Sequence, residues 1–234
     1  MRFQGKVVVI TGGAQGLGAY YAKRFAKEGA KVALCDVQDC SDIVGQVGAS
    51  AYGEICDITK AADAQAFIGN TVSKFGPVDI LINNAALYGA LNFGPFDQID
   101  EAEWDACMQV NVKGIWQMCK AAIPHMKDKG GAIVNVASLA ATFGMPYGVH
   151  YSASKGAVIS LTRALAREVA RLNIRINAIA PSLIDTPGTQ GFLKDRADKV
   201  RDAVVSGQAL REQITQEDVA AAVMFLASND AKHM

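Results

Sequence analysis

Short apolar runs that end in Gly, Asp or Asn alternate along the chain with longer segments of helical period. The runs fall at 6–10 (KVVVI), 31–35 (KVALC), 52–56 (YGEIC), 79–82 (DILI), 132–136 (AIVNV) and 174–179 (IRINAI). Between them, 16–28, 61–75, 101–127, 152–171 and 217–227 carry the helical spacing. A strand that is apolar almost throughout has both faces covered, so the pattern predicts a doubly wound parallel sheet of the α/β class with helices on both faces. No repeat, low-complexity tract or linker interrupts 1–234, and one domain is expected. Segment 182–216 differs in texture: it carries Pro, Gly, Asp and Lys with weak periodicity and follows a strand end, which predicts a lid over a ligand crevice.

Composition removes several classes of function. Lys plus Arg and Asp plus Glu both number 23 in 234 residues, so the formal charge is zero and nothing gathers phosphate backbones or anionic lipid. No nucleic-acid or membrane partner is expected. The first apolar run is too short for a signal sequence, and no run approaches the ~20 residues of a membrane span; a cytoplasmic location follows by elimination. Five cysteines (35, 40, 56, 107, 119) and three histidines (125, 150, 233) lack metal-binding spacing, so free thiols and no metal are expected.

The first strand runs into Thr11-Gly-Gly-Ala-Gln-Gly-Leu-Gly18, and a helix starts inside that turn. Glycines at 12, 16 and 18 allow a tight turn, close backbone approach to a pyrophosphate and close helix packing, while the helix N-terminus offers free N–H groups. The fold class sharpens to a Rossmann-type sheet and the domain to a dinucleotide-binding one. Asp36, at the end of the second strand, can accept hydrogen bonds from ribose hydroxyls and would repel an extra phosphate. With no Lys or Arg at Ala14, Gln15 or Val37, the implied cofactor is NAD. Asp57 ends the third strand and could accept from the adenine amino group. Asn83-Asn84-Ala85-Ala86 ends the fourth and leaves room for close approach to a nucleotide. The expected cofactor set at this end is Gly12, Gln15, Gly16, Leu17, Gly18, Asp36, Asp57, Ile58, Asn83 and Ala85.

A second group of residues suits proton transfer. Tyr151 and Lys155 stand four apart, on one face of a helix. A phenol needs about 3 units of pKa depression, roughly 4 kcal/mol, to be half ionised at neutral pH; a partly desolvated ammonium nearby, joined by an oxidised nicotinamide, is expected to supply it. Ser138 follows the fifth strand and can donate to a substrate oxygen. Asn111 sits on an otherwise apolar helix face and needs backbone or water partners.

Assembled, Thr11-Gly12-x-x-x-Gly16-x-Gly18, Asp57, Asn83-Asn84-Ala85, Asn111, Ser138 and Tyr151-x-x-x-Lys155 resemble the short-chain dehydrogenase/reductase family over about residues 5–228. The resemblance implies that Tyr151 is the catalytic acid/base, that Ser138 orients substrate, and that Lys155 lowers the Tyr151 pKa and holds the nicotinamide ribose. Asn111 would keep a water in a proton relay behind Lys155. In Pro181-Ser-Leu-Ile-Asp-Thr186, the Ile184 backbone and Thr186 would contact the carboxamide. Two departures are a Ser182 where the family often has Gly, and an end at Met234 where the family usually continues into a seventh strand that helps to form a tetramer. A homo-oligomer, dimer or tetramer, is expected.

The stretches 88–96, 139–150 and the lid are rich in Tyr, Phe, Met and Leu, which favours a small apolar or aryl secondary alcohol or its ketone as substrate. His150 is expected to point away along the helix. An acyl-carrier-type 3-oxoacyl reductase is the alternative, which Asp36 argues against if NADPH is required. A non-catalytic nucleotide sensor would have lost part of the Ser138, Tyr151, Lys155 and Asn111 set.

Overall fold

The computed structural model describes residues 1–193 and 197–234. Strands β1 (Val7–Thr11), β2 (Lys31–Asp36), β3 (Ala51–Ile55), β4 (Ile80–Asn83), β5 (Gly131–Val136) and β6 (Ile174–Ile179) form one sheet in the order β3-β2-β1-β4-β5-β6. Every pairing is parallel. The helices in chain order are α1 (Gly16–Lys27), α2 (Ser41–Val47), α3 (Ala61–Phe75), α4 (Glu101–Met108), α5 (Ile115–Ala122), α6 (Ala140–Phe143), α7 (Val149–Val169), α8 (Pro187–Leu193), α9 (Ala197–Gly207) and α10 (Gln216–Ala227). The expected doubly wound, Rossmann-type sheet is the observed one.

Strand parity builds the two core layers. Val8, Ile10, Val32, Leu34, Ile80 and Ile82 face one side and pack with residues of α1, α2 and α10. Val9, Ala33, Cys35, Leu81 and Ile133 face the other and pack with residues of α3, α5 and α7. Both faces of the central strands are therefore covered, as their apolar runs require, while the edge strands β3 and β6 are only partly buried.

All six strands lie within one residue of their expected positions. The helices diverge more. The expected helix 101–127 is α4 and α5 joined by a π turn at Gln109–Gly114, and it gives way at Ile123–His125 to a 3₁₀ turn containing Pro124, which has no N–H to continue an α-helical ladder. Helix α7 begins at Val149 rather than 152, which puts Tyr151 in its first turn. The four helices not expected are α2, α6, α8 and α9. Helices α2, α6 and α8 are short or interrupted by glycine (Gly45, Gly188, Gly191), so the helical period hardly repeats; α9 spans three turns but lies in the segment read as a lid. The expected lid segment thus contains α8 and α9, and its residues 194–196 lie outside the described ones.

One polar chain crosses the second core layer. Asn83 and Asn135 are register partners in β4 and β5. Asn83 donates from Nδ2 to Asn135 Oδ1 (2.8 Å), Asn135 donates to Thr162 Oγ1 (2.9 Å), and Thr162 donates to the Val158 carbonyl (2.7 Å). All three side chains are buried. Truncating the middle member leaves the Asn83 amide with only the weak acceptor Cys119 Sγ at 3.5 Å. Asn135→Ala is therefore expected to lower unfolding stability by about 1–3 kcal/mol, read as a shift of the urea midpoint; an unchanged midpoint would mean that the chain of bonds contributes nothing.

Candidate active site

The sheet order reverses between β1 and β4, and a crevice opens where their C-terminal ends part. Thr11 Oγ1 accepts from the backbone N–H groups of Asn84 and Ala85 (both 3.0 Å), while Asn84 Nδ2 donates to the carbonyls of Thr11 (3.0 Å) and Gly12 (3.2 Å). This closeness excludes side chains: a Cβ on Gly12 would lie 2.9 Å from Ala85 Cα, and one on Gly18 would lie 2.0 Å from the Gly12 carbonyl oxygen. Gly16 has φ +56°, a left-handed conformation that glycine takes without penalty. Gln15, at the N-cap of α1, makes no side-chain capping bond. The first N–H groups of α1 are thus left for an anion.

A cleft of about 630 Å³ runs from this turn to the end of β3. Gly12, Gln15, Gly16, Leu17, Asp36, Asp57, Ile58 and Ala85 line it, and among the described residues no Lys or Arg does. Asp36 is fixed in place, accepting from Ala14 N and Gln38 N (both 3.1 Å). Asp57 is engaged locally: Oδ1 accepts from the Thr59 backbone (3.0 Å) and hydroxyl (2.7 Å), which holds its carboxyl below the usual range. Asn83 is not brought to the cleft. Parity turns it with Leu81 toward α5, and Asn84 lines the cleft instead.

A second cleft of about 440 Å³ shares Leu17, Asn84, Ala86, Tyr88 and Thr186 with the first. Ser138, Tyr151, Lys155, Pro181 and Ile184 line it, with Ser182 and Thr189, and much of the rest of its wall is apolar, including Leu139, Phe143, Met145, Leu193, Val200 and Val204. Tyr88, which the sequence reading placed only in a general pocket wall, packs its ring 4.9 Å from that of Tyr151. Thr186 reaches the glycine turn, with its Cβ 3.7 Å from where a Cβ on Gly16 would stand, and its hydroxyl is 3.0 Å from that of Thr189.

Tyr151 and Lys155 stand together but influence each other differently from expectation. Lys155 is 2% exposed; its Nζ donates to the Val136 carbonyl (2.8 Å) and lies 5.7 Å from the centre of the Tyr151 ring. Burial pulls the ammonium down to about 8, and burial likewise pushes the Tyr151 phenol up, against a hydrogen bond with Ser138 that lowers it. Desolvation of both groups outweighs their proximity, so the protein alone does not produce the expected depression of the phenol.

Asn111 occupies the π turn, fully buried. Its Oδ1 accepts from Leu87 N (2.7 Å), and its Nδ2 donates to Leu87 O (3.2 Å) and Ser154 Oγ (3.1 Å). Ser154 Oγ donates in turn to the Tyr151 carbonyl (2.7 Å). The backbone partner expected for Asn111 is therefore the segment after β4, which it ties to the Tyr151 helix. Only the extra residue of a π turn was invisible to periodicity.

A lysine whose affinity for protons falls on folding destabilises the fold below its unfolded pKa. The unfolded chain binds the extra proton between about 8 and 10.5, so this contribution to stability rises with pH across that window. Lys155→Met is accordingly expected to unfold at higher urea than the wild type at pH 7, by about 1–3 kcal/mol, with the gap closing above pH 10. A variant less stable than wild type at pH 7 would contradict the assignment of a burial-depressed ammonium.

Comparison with known proteins agrees with this architecture. The profile of a family described as enoyl-(acyl carrier protein) reductase matches residues 12–234. A 3-oxoacyl-[acyl-carrier-protein] reductase from Thermotoga maritima is 34% identical over all of this chain and 95% of its own. A meso-2,3-butanediol dehydrogenase from Serratia marcescens is 36% identical over 99% and 90%, respectively. Among solved structures, the 3-ketoacyl-(acyl-carrier-protein) reductase from Brucella melitensis complexed with NADH superposes with a TM-score of 0.90 at 36% identity, covering 99% of this chain and 94% of that one. With a glycine turn at the switch point and Tyr151 and Lys155 on the helix after β5, the chain belongs to the short-chain dehydrogenase/reductase family of nicotinamide-dependent oxidoreductases.

Proposed function

We propose that this protein interconverts a secondary alcohol and its ketone with NAD(H), acting on small apolar or aryl substrates. The observation that carries the reading is the contrast between the two joined clefts: a glycine-lined one with carboxylates and no cation, and an apolar one whose polar groups converge on Tyr151.

The first cleft suits NAD. Gly12, Gly16 and Gly18 admit a pyrophosphate to the backbone, with Gln15 and Leu17 at the α1 N-terminus flanking it. Asp36 accepts from the adenosine ribose, Asp57 and Ile58 border the adenine, and Ala85 leaves room beside the nicotinamide ribose. A 2′-phosphate would meet Asp36 and find no Lys or Arg among the lining residues. Asn83 serves this cleft through the sheet, by fixing the end of β4. Pro181, Ile184 and Thr186 bound the nicotinamide end, the last two toward its carboxamide.

When bound, NAD supplies the hydride acceptor and a positive ring beside the phenol. Tyr151 removes the hydroxyl proton in oxidation and returns it in reduction, while Ser138 holds the substrate oxygen against it. Lys155 anchors the ribose and adds its charge, and Asn111 holds the segment after β4 and the proton path behind Lys155. Leu193, Val200 and Val204 bring α8 and α9 over the apolar cleft as a lid. The half-exposed Trp104 and Trp116, with Met108 and Val112 between them, support a homo-oligomer, dimer or tetramer, joined along α4 and α5.

The likeness to acyl-carrier-type reductases favours a second reading, reduction of 3-oxoacyl groups. A screen of secondary alcohols, ketones and 3-oxoacyl thioesters, followed by NADH absorbance, separates the two. Tyr151→Phe is expected to retain NAD binding and lose several orders of magnitude in kcat; near-normal turnover would remove Tyr151 from its role. Asp36→Ala should narrow the preference for NAD over NADP in kcat/KM. A wild type that already uses NADP better would sink the cofactor assignment.

A further inference from the structure

His150, immediately before Tyr151, is fully buried, and neither ring nitrogen has a hydrogen-bond partner. A buried polar group without partners is uncommon and calls for an explanation. Its Nε2 lies 4.0 Å from Glu103 Oε1, in the first turn of α4. Glu103 also grips the loop between β4 and α4: Oε1 accepts from Asn92 N, and Oε2 accepts from Asn92 Nδ2 (3.2 Å). The next residue, Phe93, leans over the Tyr151 helix, its ring 5.7 Å from His150 and 6.4 Å from Tyr151, pressed so closely on Gly148 that a Cβ there would lie 2.6 Å from the ring. The same loop contributes Tyr88.

We propose that His150 and Glu103 form a proton-controlled clamp that positions the 88–93 loop over the substrate cleft. Protonated His150 donates from Nε2 to Glu103 Oε1, which has lone pairs for both Asn92 and the imidazolium, and the loop is then held to α7 as well as to α4. In the 4.0 Å geometry, burial lowers the affinity of His150 for a proton while Glu103 raises it, so the ring is neutral at pH 7 and the clamp closes on acidification. The other titratable groups at this corner, Tyr88, Cys107 and Tyr151, are kept neutral by burial, and Lys155 is committed to the Val136 carbonyl. His150 is thus a positioning residue, acting through Phe93 and Tyr88. As expected of a ring that points away, His150 lines neither cleft; it is buried against Glu103 and Phe93.

The kinetic consequence rests on the ketone-reductase reading; the titration does not. In ¹H–¹³C spectra, the His150 signal is identified by its loss in His150→Gln. It should titrate below 6.5 in the wild type and shift to lower pH in Glu103→Gln, with about tenfold weaker proton affinity. For the fastest ketone among acetophenone, 2-butanone and 2,3-butanedione, wild-type KM should fall several-fold from pH 7.5 to 5.5. Both variants should give a flat KM, with kcat at pH 7 and NADH affinity little changed. An His150 signal unmoved by Glu103→Gln overturns the clamp, as does a wild-type KM that is flat or a loss that falls on kcat. No turnover of any ketone overturns the reductase reading instead, and the titration still decides whether the proton link exists.

Discussion

The site depends on how closely the ends of β1 and β4 are held after they part. Asn84 and Ala85 donate four hydrogen bonds to Thr11 and Gly12 across the switch point, and that lacing leaves no volume for a side chain at Gly12 or Gly18. Two effects follow from one constraint. The backbone of the turn is bare and its helix N-terminus uncapped, which is what a diphosphate requires. The segment after Asn84 is also launched on a fixed course toward Asn111 and Tyr88, and so toward Tyr151. The nucleotide end and the reacting end share this hinge of backbone and are not independent constructions.

At the reacting end the dominant physics is desolvation. Two groups that would carry opposite charges stand together, yet burial favours the neutral form of each. The arrangement stores a readiness to ionise that only additional positive charge beside the phenol can release. In the proposed reaction this coupling would let the phenolate form where charge is supplied and suppress it elsewhere. It also places an unfavourable lysine in the middle of the molecule, a cost to folding accepted for the sake of the reaction.

Much of this was legible in the residues, and what was missed has physical causes. Runs that are apolar or nearly so marked every strand; the central ones are continuous because the sheet is covered there on both faces, while the edge strands β3 and β6 carry polar residues. The placement of Gly12, Gly16, Asp36, Ser138, Tyr151 and Lys155 at the two clefts could be read because their spacing ties each to a strand end or one helix face. Asn83 was placed in the nucleotide cleft because it ends a strand, but parity sends it into the core and exposes Asn84 instead. The π turn around Asn111 breaks the period on which helix reading relies. Spacing reports the proximity of Tyr151 and Lys155 but not their burial, which in the protein alone pushes the phenol up. The His150–Glu103 contact joins helices α4 and α7, and nothing local in the chain announces it.

Six apolar residues in the wall of the second cleft come from places that the core does not use, beside Leu17, Val136, Ala137 and Ile184, which line it from the core layers. Leu139, Phe143 and Met145 lie between β5 and α7, while Leu193, Val200 and Val204 lie on α8 and α9; none of the six belongs to either of the layers packed on the sheet. Part of the cleft wall is thereby separated from the residues that hold the fold. Changes in those six can reshape what the cleft admits while the sheet, the glycine turn and the proton apparatus stay as they are. A lineage carrying this scaffold is free to wander among alcohols without first having to relearn how to fold.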